Sequence, residues 1–180
     1  WYNIGIVHQS LKNFDKALEA YDQALKIDPT YREVLQNKGG LLAEMRSHKD
    51  ALLNYEELLK HDPNNTKALC NRGILLSEVK FLDLASHTCE RLVALDPEYE
   101  FAQGLLCFAK MHACQWENLD KLSAEIIAGV RAGRKMTQTL PITAISPDPN
   151  DHLLCARTFG NHHCPARPPV WLGERYKHQK

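Results

Sequence analysis

Residues 35–39 read LQNKG, and the same Asn-x-Gly arrangement occurs as WYNIG at residues 1–5 and as LCNRG at residues 69–73. Each step along the chain is 34 residues. The surrounding apolar residues follow the i, i+3, i+4 spacing of an amphipathic helix. Asparagine is a poor residue for a helix interior and costs about 0.5 kcal/mol relative to alanine. Three copies in one register therefore indicate that the asparagine has a function there.

Other residue types repeat at the same interval of 34 residues. They are the prolines of three Asp-Pro pairs (Pro29, Pro63, Pro97), three glycines (Gly5, Gly39, Gly73) and three alanines (Ala17, Ala51, Ala85). Each period contains two amphipathic helical segments, and the small residues let them approach closely. Asp-Pro ends the second segment because proline cannot continue the helical hydrogen bonds. The period therefore predicts stacked helical pairs, with Tyr21 and Tyr55 filling the space between neighbouring pairs.

These landmarks resemble those of tetratricopeptide repeats. The first repeat carries them as Trp1, Gly5, Ala17, Tyr21, Ala24 and Pro29, the second as Gly39, Leu42, Ala51, Tyr55 and Pro63, and the third as Gly73, Leu76, Ala85 and Pro97. The third repeat departs from the pattern with Cys89 at the aromatic position. The resemblance implies an all-α, right-handed solenoid whose first helices line a concave inner face, followed by a proline-rich, mostly irregular connector.

The period fades after the third repeat. We predict two further helices at 99–114 and 116–132, but Cys107 and Leu119 replace the glycine and alanine landmarks. The chain is therefore divided into three repeats over 1–97, the first of them truncated, a divergent helical pair over 98–133 that ends the array, and a linker over 134–180.

The linker contains six of the nine prolines of the chain. Residues 139–150 read TLPITAISPDPN, a composition that indicates an extended segment. One short helix is predicted from Asn150 to Phe159, with Asn150 or Asp151 near its N-cap. The rest of the linker reads as a stiff connector.

Composition and charge exclude several classes of function. The chain has 22 acidic and 22 basic residues, so it lacks the basic excess of a nucleic-acid groove or a membrane-surface patch. No apolar run approaches the roughly 18 residues of a bilayer span. The six cysteines show no disulfide-framework spacing, which favours the cytoplasm, or the nucleus in a eukaryote. We expect no nucleic-acid or membrane partner. The helical pattern already running at Trp1 suggests a piece of a longer chain.

The asparagines Asn3, Asn37 and Asn71 should form a row along the concave groove, which we call the asparagine ladder. Glu33 and Lys67 lie one helical turn before Asn37 and Asn71 and share their face. A carboxamide offers one acceptor and two donors, so it can bind the C=O and N–H of an extended peptide whatever its side chains. We predict peptide contacts at these five residues. The alternative is that the asparagines bridge neighbouring helices.

The ladder is similar to that of O-GlcNAc transferases and their SPINDLY-type relatives. The stretch GLLCFAKMHACQWENLD at 104–120, the helix around IIAGVRAGR and the segment PARPPVW-x-GERYKH also resemble the junction that precedes the catalytic region in bacterial and plant-type members. The resemblance implies an acceptor-polypeptide-binding arm of a protein glycosyltransferase. Such an enzyme transfers a sugar from UDP-GlcNAc or another nucleotide sugar to Ser or Thr. The catalytic lobes are absent from this chain, so no catalytic residue, metal or cofactor is assigned to it.

Other interpretations remain open. The first is a free-standing adaptor that mediates protein–protein interaction. A site that clamps a C-terminal carboxylate lacks support, because none of the three residues directly before a ladder asparagine is a cation. Lys38 and Arg72, which directly follow Asn37 and Asn71, should point away from the asparagine face. The side chains of His152, Cys155, His162, His163 and Cys164 are possible zinc ligands without a recognised spacing. A Cys164–His162 nucleophile pair has nothing to orient the base.

Overall fold

The computed structural model describes residues 1–165, which form ten α-helices and no strand within that range. The helices are α1 (Tyr2–Ser10), α2 (Phe14–Ile27), α3 (Arg32–Glu44), α4 (His48–His61), α5 (Thr66–Glu78), α6 (Leu82–Leu95), α7 (Ala102–His112), α8 (Leu119–Arg131), α9 (Thr139–Ile145) and α10 (Pro149–His163). The predicted helical pairs are confirmed, and α2, α4 and α6 each end directly before an Asp-Pro pair.

The helices stack as a curved solenoid. The two helices of each pair pack closely, and the second helix of a pair packs on the first helix of the next pair. The first helices α3, α5 and α7 also contact one another in succession, whereas no comparable contact joins α2 with α4 or α4 with α6 in the described chain. The first helices therefore form the inner, more tightly curved layer, and their free faces line the concave surface.

Small residues permit the close packing within a pair. Ala51 and Tyr55 on α4 are fully buried. A Cβ placed on Gly39 of α3 would lie 2.7 Å from the Tyr55 ring and 2.9 Å from Asn54 Nδ2. The glycine is thus required because the tyrosine ring occupies the space that any side chain would need. Asn54, also buried, donates from its side chain to the carbonyl of Leu35 and ties α4 to α3.

The fourth helical pair, α7 and α8, is followed by a segment that folds back onto it. The carbonyls of Lys135 and Met136 accept hydrogen bonds of 2.7 and 2.9 Å from the backbone N–H groups of Phe101 and Gly104. Helices α9 and α10 then pack against this pair. They share one apolar core, formed by Cys107, Leu119, Ile126, Val130, Met136, Ile142 and Cys155.

The linker prediction is wrong in two details. The sequence predicts an extended segment over 139–150, but Thr139–Ile145 form α9. Proline is tolerated there because Pro141 lies in the first helical turn, where its missing N–H is not needed, and both Pro141 and Ile142 are buried. The helix predicted from Asn150 to Phe159 is present but longer, and its N-cap is Asp148, whose carboxylate accepts from the Asn150 N–H at 2.9 Å.

A buried carboxylate fastens α10 to α8. Asp151 is 1% exposed and accepts from Arg131 through both oxygens, at 2.8 and 3.0 Å. The Ser146 hydroxyl adds a third donor at 2.6 Å. The hydrogen bonds from Arg131 and Ser146 hold the pKa of Asp151 below its usual value, so the ionised form is favoured. Among residues 1–165, no helix is both long enough and apolar enough to cross a bilayer.

Candidate functional site

The concave surface contains two adjoining open cavities that hold most of the predicted site. The first, of about 460 Å³, is lined by Tyr2, Glu33, Gln36, Asn37 and Lys67, among others. Three of the five predicted contact residues therefore lie around one cavity.

The second cavity, of about 450 Å³, is lined by Gly40, Glu44, Tyr55, Asn71 and Glu78, among others. It contains the next asparagine of the ladder. Asn3 is exposed on α1 and lies outside both cavities. The structure thus places two of the three ladder asparagines in neighbouring cavities.

Each of these two asparagines bonds to a tyrosine. The Asn37 side-chain amide donates to the Tyr2 hydroxyl at 3.1 Å, and the Asn71 amide donates to the Tyr55 hydroxyl at 3.0 Å. Each bond joins two helices, as the bridging alternative required. The bond to Tyr55 leaves the Asn71 side chain one N–H and its carbonyl oxygen for a ligand. The Asn37 side chain also hydrogen-bonds Tyr21, so its carbonyl oxygen is the group that stays free.

The tyrosine partner was missed in the sequence. Burial raises the pKa of Tyr55, and the hydrogen bond from Asn71 only partly opposes this, so the phenol stays neutral near pH 7. The neutral Tyr55 hydroxyl can therefore accept a hydrogen bond from the Asn71 amide. The interval of 16 residues between Tyr55 and Asn71 also separates Tyr21 from Asn37. Because Asn37 donates to Tyr2 instead, this interval does not identify both partners.

One further acceptor in the groove was also missed. The side-chain carbonyl oxygen of Gln36, a residue that lines the Asn37 cavity, is buried and has no hydrogen-bond partner within residues 1–165. A buried polar atom without a partner costs free energy.

Charges in the groove are mixed. Lys38 pairs with Asp22 at 2.6 Å, and Arg72 donates to the Thr88 hydroxyl at 2.7 Å. Both cations therefore reach toward second helices, away from the asparagine face, as predicted. Two other cations, Arg32 and Lys67, line the cavity around Asn37, and Arg32 is paired with Asp62 at 3.6 Å.

The five possible zinc ligands are not brought together. The Cys155 thiol donates to the Thr137 carbonyl at 3.3 Å, and a His152 ring nitrogen lies 2.7 Å from the Ser146 carbonyl. The rings of His162 and His163 pack against Phe101. In the described part of the chain, no three His, Cys, Asp or Glu side chains are grouped to hold a metal.

Comparisons with known proteins bear on the solenoid. The family model described as tetratricopeptide repeat matches residues 1–31. A crystal structure of MamA has a TM-score of 0.67 at 18% identity, and the match covers 91% of this chain and 96% of that one. The chain has the tetratricopeptide-repeat fold. Residues 41 to the end of MamA from Desulfovibrio magneticus RS-1 give a TM-score of 0.64 at 21% identity, covering 73% of this chain and 74% of that chain.

A third tetratricopeptide structure contains a peptide. The first such domain of Spaghetti (RPAP3), bound to the HSP90 peptide SRMEEVD, has a TM-score of 0.59 at 18% identity, over 63% of this chain and 90% of that one. No curated protein matches the sequence. At these identities the likeness concerns the fold, and it gives no support to a glycosyltransferase link. Trp171 and the rest of the PARPPVW-x-GERYKH segment lie largely outside the described residues.

Proposed function

We propose that the concave groove binds an extended polypeptide, so that this chain acts as a protein–protein interaction module. The observation that carries the proposal is the pair of open cavities that contain Asn37 and Asn71, in which each side chain keeps its carbonyl oxygen and Asn71 also keeps one N–H. These groups complement the backbone of an extended peptide, which presents an N–H and a C=O at each residue.

Two further facts support this function. The RPAP3 domain, whose fold this chain shares, was solved with a peptide bound. Arg32 and Lys67 balance Glu33 and Asp62 around the Asn37 cavity, so this cavity favours neither an acidic nor a basic peptide by net charge. Binding would then depend mainly on the peptide backbone and tolerate many sequences.

A second candidate function is the acceptor-binding arm of an O-GlcNAc-transferase-like or SPINDLY-type enzyme. The asparagine ladder favours it, because a surface that reads the backbone suits an enzyme that modifies Ser or Thr in many proteins. The adaptor and the arm differ in the part of the parent protein that lies beyond Lys180. Sequencing the parent transcript past Lys180 would separate them, since only the arm requires a nucleotide-sugar domain there.

The ladder is tested with a peptide selected for binding. Unstructured 16-residue peptides displayed on phage are selected on the wild-type chain, and the best one is labelled with fluorescein. Replacing both Asn37 and Asn71 by alanine should weaken its binding about fivefold or more in an anisotropy titration, because each lost hydrogen bond is worth about 0.5–1.5 kcal/mol.

The matched control removes the tyrosine hydroxyls instead. Tyr2→Phe with Tyr55→Phe deletes the internal partners of the same amides but leaves the amides in place, so affinity should stay within about twofold. Far-UV circular dichroism verifies that both double variants keep their helices. If the asparagines only bridge helices, the two double variants will lose affinity equally or not at all, and the proposed contact is wrong.

A further inference from the structure

The concave groove changes its chemistry at the fourth helical pair. The ladder position after Asn71 is Leu105, 34 residues further on, and the position after Tyr55 is Cys89 at the same interval. The Tyr55–Asn71 pair is therefore followed by a Cys89–Leu105 pair. Cys89 has no hydroxyl that could accept an amide N–H, and the side chain at the asparagine position on the concave face is the apolar Leu105.

The segment that folds back onto the fourth pair completes this apolar region. Leu105 and Phe108 of α7 face Leu140 and Pro141 of α9 across a pocket of about 290 Å³, with Ile74 of α5 at its side. We call these five residues the anchor pocket. Leu140 is 69% exposed although it is a large apolar residue. Ile74, Leu105 and Phe108 are half-buried and Pro141 is buried. A concave opening lined by apolar side chains, one of them exposed, is typical of a binding site.

The anchor pocket is continuous with the groove. Ile74 and Glu78 line both this pocket and the cavity around Asn71. A peptide bound along the ladder would therefore reach the anchor pocket without leaving the concave surface.

Two charged residues, Glu78 and Lys80, line the rim of the anchor pocket. Glu78 is exposed and lies 3.9 Å from a His48 ring nitrogen, a contact that is an ion pair only when this histidine is protonated. Lys80, which also lines the pocket, forms no ion pair with any other residue of 1–165. The ammonium group is thus available to an acidic group of a ligand.

We propose that the anchor pocket takes one large aliphatic or aromatic side chain of the peptide that lies on the ladder, and that an acidic residue beside it pairs with Lys80. The proposal rests on the proposed function, since it names the specificity of the same groove. Backbone hydrogen bonds along the ladder supply binding that tolerates sequence, whereas a filled apolar pocket supplies selection. A bound peptide then has a fixed register, set by its apolar residue.

The test compares peptide selections on four forms of the chain. The phage-displayed library of 16-residue peptides is applied to the wild type, to Leu140→Ser, to Lys80→Glu and to the control Leu84→Ser. Leu84 is an exposed leucine on α6 that lines neither the anchor pocket nor the cavities around Asn37 and Asn71, so its loss should change nothing. The wild type and the control should enrich peptides with one Leu, Ile, Met or Phe next to Asp or Glu. Leu140→Ser should lose the apolar preference, and Lys80→Glu should replace the acid by Lys or Arg.

Titrations with one selected peptide make the result quantitative. Changing its apolar residue to serine should weaken binding to the wild type about tenfold or more, but binding to Leu140→Ser by no more than about twofold. Selected peptides without a common apolar residue, whose affinity still depends on Asn37 and Asn71, would overturn the anchor pocket and leave the proposed function intact.

Two other outcomes would also decide against the proposal. If no peptide is enriched on the wild type, both the groove function and the anchor pocket fail together. If sedimentation shows a dimer that Leu140→Ser dissociates, a second copy of the chain occupies the pocket, and the peptide assignment is wrong.

Discussion

Replacing Tyr55 by alanine should lower the free energy of unfolding by about 3–5 kcal/mol, as for other large aromatic residues of a core. Tyr55 belongs to α4 and is fully buried between α3 and α5, and its ring packs directly against Gly39. Domains are stable by only about 5–15 kcal/mol, so the variant should be partly or wholly unfolded near room temperature. Urea denaturation followed by circular dichroism measures the loss.

Tyr55→Phe is the control for this variant. It keeps the ring and removes only the hydroxyl that accepts from Asn71, so it should cost no more than about 1 kcal/mol. A loss below about 1 kcal/mol for Tyr55→Ala would contradict the role of the tyrosine as the filler between helical pairs.

Gly39→Ala should destabilise the chain by about 1–3 kcal/mol, because an added methyl group would overlap the Tyr55 ring and Asn54. The neighbouring glycine provides a sharp contrast. A Cβ on Gly40 would have only the Tyr55 hydroxyl nearby, at 3.8 Å, so Gly40→Ala should stabilise the helix by about 0.5–1 kcal/mol. Thermal melts of both variants measure the difference, and equal melting temperatures would show that close packing does not require Gly39.

The regular part of the fold was predictable because its signal is repeated. Asp-Pro pairs mark where α2, α4 and α6 end, and the glycine and alanine positions mark where helices approach. The repeat pattern also placed Glu33, Asn37 and Lys67 on neighbouring first helices, and these residues lie around one cavity; that they contact a peptide stays a prediction. The tyrosine partners follow no single spacing, because Tyr2 and Asn37 are 35 residues apart whereas Tyr55 and Asn71 are 16 apart.

The C-terminal part was harder to predict because nothing in it repeats. Helix α9 has only 7 residues and carries a proline in its first turn, so it shows no helical periodicity of useful length. It is stabilised by burying Ile142 in the core of the fourth pair. The ion pair between Arg131 and Asp151 joins residues 20 positions apart, so no local sequence pattern predicts it. The apolar anchor pocket depends on this fold-back and was therefore missed.

Under the two proposals, the groove would combine two kinds of recognition. Amides at Asn37 and Asn71 suit a peptide backbone, and the Leu105 region suits an apolar side chain. The change from a polar to an apolar groove coincides with two replacements in the repeat pattern: Cys89 stands at the tyrosine position and Leu105 at the asparagine position. Such a groove would bind many sequences weakly and prefer those with an apolar residue in the right position.

The most direct test of the central claim, that peptides bind in the concave groove, is to fill the groove. Gly40 lines the Asn71 cavity and has room for a side chain, so Gly40→Arg should place bulk in the groove without disturbing the packing. Gly160 on α10 also has open space around it but lies away from the groove, so Gly160→Arg is the matched control. In an anisotropy titration with the selected peptide, we predict that Gly40→Arg loses measurable binding while Gly160→Arg binds like the wild type. Equal affinity for all three would contradict peptide binding in the groove.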